Sequence, residues 1–576
     1  MTQEITPRER EPLIAEWLTG PIRRNRATYL KVAAAAVMIN IFGLVTSLFA
    51  MTVYDRVLPN EAVASLVGLS IGLGVVIVFD FVLKTLRAYF VDIAGADIDQ
   101  RVGGALFQRL LAIRLDRRKG STGSLAGLVR ELESLRDFFA SATLIAIVDV
   151  PFIILTLVVV ALIGGKLVLV PLALVPLVLV TGWLTRPAMD RLSARAMGEG
   201  LSKQSVLVEA IGGLETVKSV GAGQLLTQRW RRAIDRHADS SLRQRLIAAI
   251  SVNVATSGQT IAYSGVVIVG VGMIVARELT MGGLIACSML AGRAVAPLTQ
   301  IANMLSRLTG TQAAYRQLDE LMSTPGENAG EDALRLTEVA GAIELRNVTF
   351  RYPGANADAV SGTSMVIRPG ERVAIIGRVG SGKSTVLRLI LGLYQPTDGL
   401  VMVDGTDLRQ LDIKALRGRI GAALQDSVLL SGTVRDNITL GRERVDQEEM
   451  LRVARMTGAH AFIGQLSNGY DLRLSDRGES LSGGQRQSIA LARALAGRPG
   501  VLLFDEPTSA MDTQTEGVLL DKLAAEIAGR TLVMVTHRPS LLRLATRVIV
   551  MNAGKVVADG PRDEVLRRMT ANREAA

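Results

Sequence analysis

Apolar positions are spread unevenly along this 576-residue chain. Before about residue 305 they gather into six long runs, roughly Tyr29–Val53, Ala62–Leu83, Phe139–Ile163, Leu167–Leu184, Ile247–Val275 and Met281–Ala302. Each approaches or exceeds the ~20 residues a helix needs to cross a bilayer core. A helix on the surface of a soluble bundle would show a recurring polar face; "LTLVVVALIGGKLVLVPLALVPLVLV" shows none. The connections after the second and fourth runs read differently. "IDQRVGGALFQRLLAIRL" and "LSKQSVLVEAIGGLETVKSVGAGQLLTQRWRRAIDRHA" keep helical spacing with polar faces, which predicts that the spanning helices continue beyond the membrane. The Gly212-Gly213 break predicts a short helix, "LETVKS", across the tip of the second hairpin.

Past residue 323 the pattern changes. "STPGENAGED" (323–332) is polar and carries Gly and Pro, as a linker does. "AIELRNVTFRYP" then alternates like a strand, and from "RVAIIG" onward strands and helices alternate, predicting an α/β domain.

Charge settles the orientation of the first half. The formal net charge is +11, and much of the excess sits in the long loops: ten Lys/Arg between Lys84 and Arg136, eleven between Arg186 and Arg245. The short connections offer only Arg56, Lys166 and Arg277. By the positive-inside rule the long loops and both termini are expected in the cytoplasm. This accounts for the basic balance without nucleic acid, for which no aromatic-interleaved basic stripe is present. One cysteine, Cys287, allows no internal disulfide, and the first 28 residues show no cleavable signal peptide. Charges within the apolar runs are few, and two of them, Asp149 beside Pro151 and Arg293, fall well inside a run. Both are expected to face the bundle interior or a wet cavity, Asp149 at a bend or on a substrate path, with Arg293 a candidate partner for it.

The second half carries the chemistry. "GRVGSGKS" (377–384) lies between a buried strand and the helix "TVLRLILGLY", the context a phosphate-binding loop requires. Gly377, Gly380 and Gly382, with Ser381 and Thr385, would let backbone N–H groups converge on phosphate oxygens at a helix N-terminus. Lys383 would reach the β- and γ-phosphates and Ser384 would ligate Mg²⁺. "VLLFDEPT" (501–508) ends an apolar strand in two acids. Asp505 suits holding Mg²⁺ through water, and Glu506 suits orienting or deprotonating the attacking water. His537, in "LVMVTHRPS", is a candidate to bond the γ-phosphate and fix Glu506 or its water. Gln425, in "GAALQDS", is a candidate contact for Mg²⁺ and the water, and Tyr352, in "FRYPG", for stacking on adenine.

"GRVGSGKS", "LQD", "LSGGQRQ", "VLLFDE", "SAMD" and "THR", in this order over 340–576, resemble the ATP-binding cassette family. The resemblance implies a membrane α-helical bundle of six spans, of the type IV exporter kind, fused to an α/β P-loop ATP-binding cassette domain. The expected divisions are 1–28, a cytoplasmic segment; 29–322, the transmembrane domain; 323–339, a linker; and 340–576, the nucleotide-binding domain. It implies a homodimer in which Ser482, Gly483, Gly484 and Gln485 of one chain close over ATP held by the other, with Asp512 at the same seam. "FAMTVYDRVLPNEA", "SATLIAIVDVPFI" and "MLAGRAVAPLTQ" look like type I secretion exporters. That likeness implies ATP and Mg²⁺ as cofactors and the inner membrane of a Gram-negative cell. Its implied partners are a periplasmic adaptor (membrane fusion) protein, an outer-membrane channel, membrane lipid and a secreted, unfolded polypeptide. A lipid or drug exporter with the same engine is the alternative. Where many relatives have a peptidase-like domain, about 28 residues precede the first run, so recognition through such a domain is not expected. "LSDRG" before the signature places Asp476 where such exporters usually have Glu.

Overall fold

A computed structural model describes residues 15–138, 143–327, 333–425, 428–442 and 444–574. Two compact units emerge, one from residues 1–111 and 119–324, the other from 112–118 and 325–576. Residues 328–332 of the expected linker lie outside the described residues.

The first unit is helical. A short helix α1 (Glu16–Arg24) leads into α2 (Arg26–Thr52), α3 (Val63–Ala112), α4 (Thr122–Asp137), α5 (Thr143–Gly164), α6 (Leu169–Gly212), α7 (Leu214–Ser219), α8 (Gly223–Val275) and α9 (Met281–Ser323). All six apolar runs fall on long helices; the start of the third, 139–142, lies outside the described residues. Five stretches meet the length and apolarity of a span, because α5 and α6 join through the single 3₁₀ turn Gly165–Val168 into one, Asp149–Gly212. The expected overrun is present: α3 has 50 residues and α8 has 53, about 75–80 Å of helix against ~30 Å of hydrocarbon. The six-residue α7 sits between α6 and α8, as the Gly-Gly break predicts, and all its residues are partly or fully exposed. Ala255, Ala262, Val266, Leu290 and Val295 form the packed interior of α8 and α9. The apolar first half of α3 is bare instead: Val67, Ile71, Val75 and Val78 are all exposed.

Asp149 is buried, as its cost in lipid demands. Its partner differs from the one anticipated: Asn40 of α2 donates to it at 2.7 Å. Among the described residues no ion pair joins it to Arg293. The Arg293 guanidinium lies over Gly43 of α2, in space that any Cβ there would occupy.

The second unit is built on a six-stranded sheet in the order Lys555–Pro561, Arg547–Asn552, Arg372–Gly377, Thr531–Val535, Val501–Asp505, Ile420–Ala423. All neighbours are parallel except the first pair. A second sheet, opened by the expected strand Ile343–Phe350, is antiparallel where that strand pairs with Val360–Ile367 and Asp398–Val403. The central strands are apolar on both faces because both are covered; Val501 to Phe504 and Leu532 to Met534 are fully buried. The helix after the phosphate loop is shorter than "TVLRLILGLY" suggests, running from Lys383 to Ile390. Gly392, at φ +63°, stops it. The N–H groups of Gly392 and Leu393 turn back onto the carbonyls of Leu389 and Arg388, the Schellman pattern that consumes the last free carbonyls of a helix.

Candidate active site

Parallel strands bring their carboxyl ends to one edge, and loops there form the usual ligand crevice of such sheets. Here that edge gathers Gly377, Asp505 with Glu506, the segment from Val535 to His537, and Gln425 just past its strand.

The phosphate loop turns between its strand and helix on left-handed glycines. Gly382 has φ +93°, and a Cβ there would run into the Ala359 carbonyl oxygen, so only glycine fits. Ser381 is buried. Lys383 Nζ donates to the carbonyls of Gly377 (2.9 Å) and Arg378 (2.8 Å). Burial lowers the Lys383 pKa below the usual lysine value, while Glu506 and Asp505 pull it back up. The Lys383 ammonium therefore sits within the field of both acids.

Asp505 is almost wholly buried, and neither carboxylate oxygen completes a hydrogen bond. Burial raises its pKa, offset only in part by Ser384 and then Arg388. Leaving two buried carboxylate oxygens unsatisfied is costly. A hard cation held by Asp505 and the Ser384 hydroxyl would relieve that cost, so the donor set fits Mg²⁺. Gln425 is exposed and makes no hydrogen bond among the described residues.

Glu506 is 8% exposed and adopts φ +54°, a strained backbone for a side chain of this kind. Four contacts hold it: its N–H donates to Val535 O at 2.9 Å, its carbonyl accepts from Gln487 Nε2 at 2.9 Å and from Ser509 N at 3.2 Å, and its Oε1 meets His537 Nδ1. The imidazole is 74% exposed. His537 thus bridges the buried Glu506 carboxylate to the solvent side of the crevice, the geometry of a group that positions a base.

Tyr352 is less free than adenine stacking suggests. Its ring is set edge-on to Phe350 and Tyr394, and its hydroxyl bonds Thr385 Oγ1 at 3.1 Å and accepts from Arg388 at 3.1 Å.

Ser482 caps the helix Gly483–Leu495 reciprocally. Its hydroxyl accepts from Gln485 N at 3.3 Å and its N–H donates to Gln485 Oε1 at 2.9 Å. Ser482 is exposed while the body of the helix is buried. Among the described residues no hydrogen bond joins this N-terminus to the phosphate loop. Asp512 caps the helix Thr513–Glu526, accepting from Thr515 N at 2.9 Å and Thr515 Oγ1 at 2.7 Å. The Thr515 N–H is the main reason its pKa is lowered. Asp476 opens a 3₁₀ turn ending at Gly478.

Three residues of this site are not singled out by the motif reading. Gln487 donates to Glu506 O and to Ser509 Oγ (3.1 Å) and accepts from Ala510 N (2.9 Å). It thereby ties the signature helix to the catalytic strand. Glu516, buried, bonds Thr508, Ser540 and Arg538 at once. Arg538, next to His537, also donates to Ser509 O at 3.0 Å. The available signals are position alone: Gln487 directly follows "LSGGQR" and Arg538 directly follows His537.

Residues 360–509 match the family described as ABC transporter, and residues 29–298 its transmembrane region. Among curated proteins, the leukotoxin translocation ATP-binding protein of a Pasteurella haemolytica-like species is 32% identical over 96% of this chain and 78% of its own length. The toxin RTX-I translocation ATP-binding protein of Actinobacillus pleuropneumoniae shows the same identity and the same coverage of both chains. This chain belongs to the ABC transporter family. It is an integral membrane half-transporter, with an ATPase coupled to transport in the same polypeptide. Its fold is that of a bacterial Atm1-family ABC exporter solved with ATP bound, with a TM-score of 0.82 at 24% identity, covering 97% of this chain and 99% of that one.

Proposed function

We propose that this ABC transporter is the inner-membrane engine of a type I secretion system, moving an unfolded polypeptide out of a Gram-negative cell at the cost of ATP. The curated relatives are named for toxin translocation, which favours polypeptide over lipid or drug as cargo. By this reading the partners are a periplasmic adaptor protein and an outer-membrane channel, six helices cross the bilayer, and both termini are cytoplasmic.

One observation carries the mechanism. Each chain holds a complete base and phosphate loop, yet presents its capped signature, Ser482–Gln485, at an exposed helix N-terminus. That terminus has donors to offer a phosphate and finds no phosphate loop within its own hydrogen-bonded network. A second copy would supply one. The bare apolar half of α3 likewise calls for lipid or a partner chain around it. In the dimer, the phosphate loop grips the triphosphate and Lys383 neutralises its charge. Mg²⁺, once bound, would draw charge from the β- and γ-phosphate oxygens. Asp505, Ser384 and Gln425 would hold it, and Glu506, steadied by His537 and Gln487, takes the proton of the attacking water. Closure thus depends on ATP and reopening on its hydrolysis, and helices α6 and α8 are long enough to carry that cycle to the membrane.

The test is a disulfide between Ser482→Cys and Val379→Cys, the latter at the fully exposed tip of the phosphate loop. In Glu506→Gln protein, ATP should produce a crosslinked dimer and ATPase should fall at least about a hundredfold. A strictly monomeric active protein, or no ATP-dependent crosslink, would overturn the proposal.

A further inference from the structure

At the amino ends of the Ile420–Ala423 and Val501–Asp505 strands, the second unit contains a cavity of about 490 Å³. It lies at the opposite end of the strands that deliver Gln425, Asp505 and Glu506. Four arginines wall it, Arg419, Arg442, Arg444 and Arg498, with Glu338 the one acid among the described residues of its lining. Arg498 has Glu449 at 3.6 Å, but that carboxylate is already engaged by Arg452 at 2.7 Å. Among the described residues Arg419, Arg442 and Arg444 make no ion pair.

Arg442 is the telling member. Its guanidinium is half-buried, and its hydrogen bonds are two long ones, to Arg493 O at 3.4 Å and Ala496 O at 3.5 Å. Burial pulls its pKa down. Behind it Arg493 is lowered too, by burial and then by the charge of Arg442 itself. Arg493 is spent on protein acceptors, the Asn437 side chain and carbonyl and the Val428 carbonyl. Arg442 has donors left over. A merely solvated basic face would hold its guanidiniums out in water; here one is drawn inward beside another cation, and cations placed so call for an anion.

We propose that this cavity is a second anion-binding site, one that takes a small phosphate chain such as pyrophosphate, triphosphate or the phosphates of a free nucleotide. Guanidinium forks match phosphate oxygens in pairs, and several can share one polyvalent anion. The volume lies in the usual range for small-ligand pockets. Among the described residues no aromatic side chain lines it to serve as a platform for a base, so the phosphates are what is recognised. Unlike the phosphate loop, which works through backbone N–H groups, this site works through side-chain charge.

The experiment uses the full chain in detergent with Lys383→Ala, to silence the phosphate loop, titrated calorimetrically with inorganic pyrophosphate. Saturable binding is expected, weakening as salt rises. Arg442→Ala should cost about tenfold or more in affinity. Arg444→Glu, on the exposed wall, should do the same, and with Lys383 intact should leave ATPase unchanged, which guards against a folding artefact. Equal affinity for pyrophosphate and ADP assigns recognition to the phosphate chain alone; ADP about tenfold tighter makes nucleotide the source. Absent saturable binding, or binding indifferent to both arginine variants, would overturn the proposal.

Discussion

The junction of the catalytic strand and the His537 loop hangs on Glu516, and its removal should separate stability from chemistry. Glu516 Oε1 accepts from Thr508 Oγ1 at 3.0 Å and Ser540 Oγ at 2.7 Å, while Oε2 pairs with Arg538 at 2.6 Å. Thr508 is fully buried and Arg538 is 28% exposed. Glu516→Ala strands a buried hydroxyl and strips Arg538 of the one acid it pairs with among the described residues, though Arg538 keeps its bond to Ser509 O. One buried unpaired polar group and one broken, partly screened ion pair together amount to about 3 kcal/mol. For a unit of this size that is a fall of about 6–12 °C in thermal midpoint. Glu516→Gln keeps an acceptor for both hydroxyls but loses the charge and, with it, the oxygen that accepts from Arg538, so about half of that is expected. All three tryptophans, Trp17, Trp183 and Trp230, lie in the first unit. Intrinsic fluorescence would therefore follow the wrong half, and protease survival of the second unit after graded heating is the better assay. A pH arm adds a sign. Burial pushes the Glu516 pKa up, but hydrogen bonds from Ser540, Thr508 and Arg538 outweigh it and hold the group below its ordinary 4.5. Its contribution is then fully present above that value and is lost as pH falls through the folded pKa; the Gln variant should lack that component of acid sensitivity. Equal losses for Ala and Gln, or shifts under about 2 °C for both, would refute the network as the source of stability.

Other perturbations give opposite signatures. Asp505→Asn should abolish Mg²⁺-dependent ATPase yet raise the nucleotide-free thermal midpoint by a few degrees, roughly 1 kcal/mol, because it removes a buried charge whose burial cost its neighbours only partly offset; a lower midpoint would contradict the burial argument. His537→Ala, at a mostly exposed ring, should leave stability within about 0.5 kcal/mol while turnover drops about a hundredfold or more. ATPase retained by that variant would remove the imidazole from the mechanism. Gln487→Ala leaves the Glu506 carbonyl with only the Ser509 N–H and breaks two further polar contacts, without touching either capping partner of the signature. It should reduce kcat about tenfold or more with ATP affinity little changed, and an effect confined to KM would point to nucleotide binding instead.

What the sequence discloses and what it hides divide along physical lines. The six apolar runs and the phosphate loop are legible because each is enforced locally: hydrocarbon demands an unbroken apolar surface, and a left-handed turn against Ala359 demands Gly382. The end of the loop's helix is in principle legible as well, since Gly392 is a stop signal inside an otherwise apolar helical run. Partnerships are different. Asp149 and Arg293 are opposite charges well inside apolar runs, and pairing them is the natural expectation; the fold instead gives Asp149 to Asn40 and lays Arg293 over Gly43. Asn40 and Gly43 lie one helical turn apart on α2, so a single face of that helix receives both groups, and that depends on helix phase rather than on residue type. The same holds for the hydrolytic centre. Asp505, Glu506 and His537 announce themselves at strand ends, but the restraint on a strained Glu506 comes from Gln487 and, one step back, from Glu516 through Arg538, across 19 and 22 positions of chain. Chemistry is thus written in motifs, whereas the rigidity that makes a carboxylate a base is written in side chains that meet only after folding.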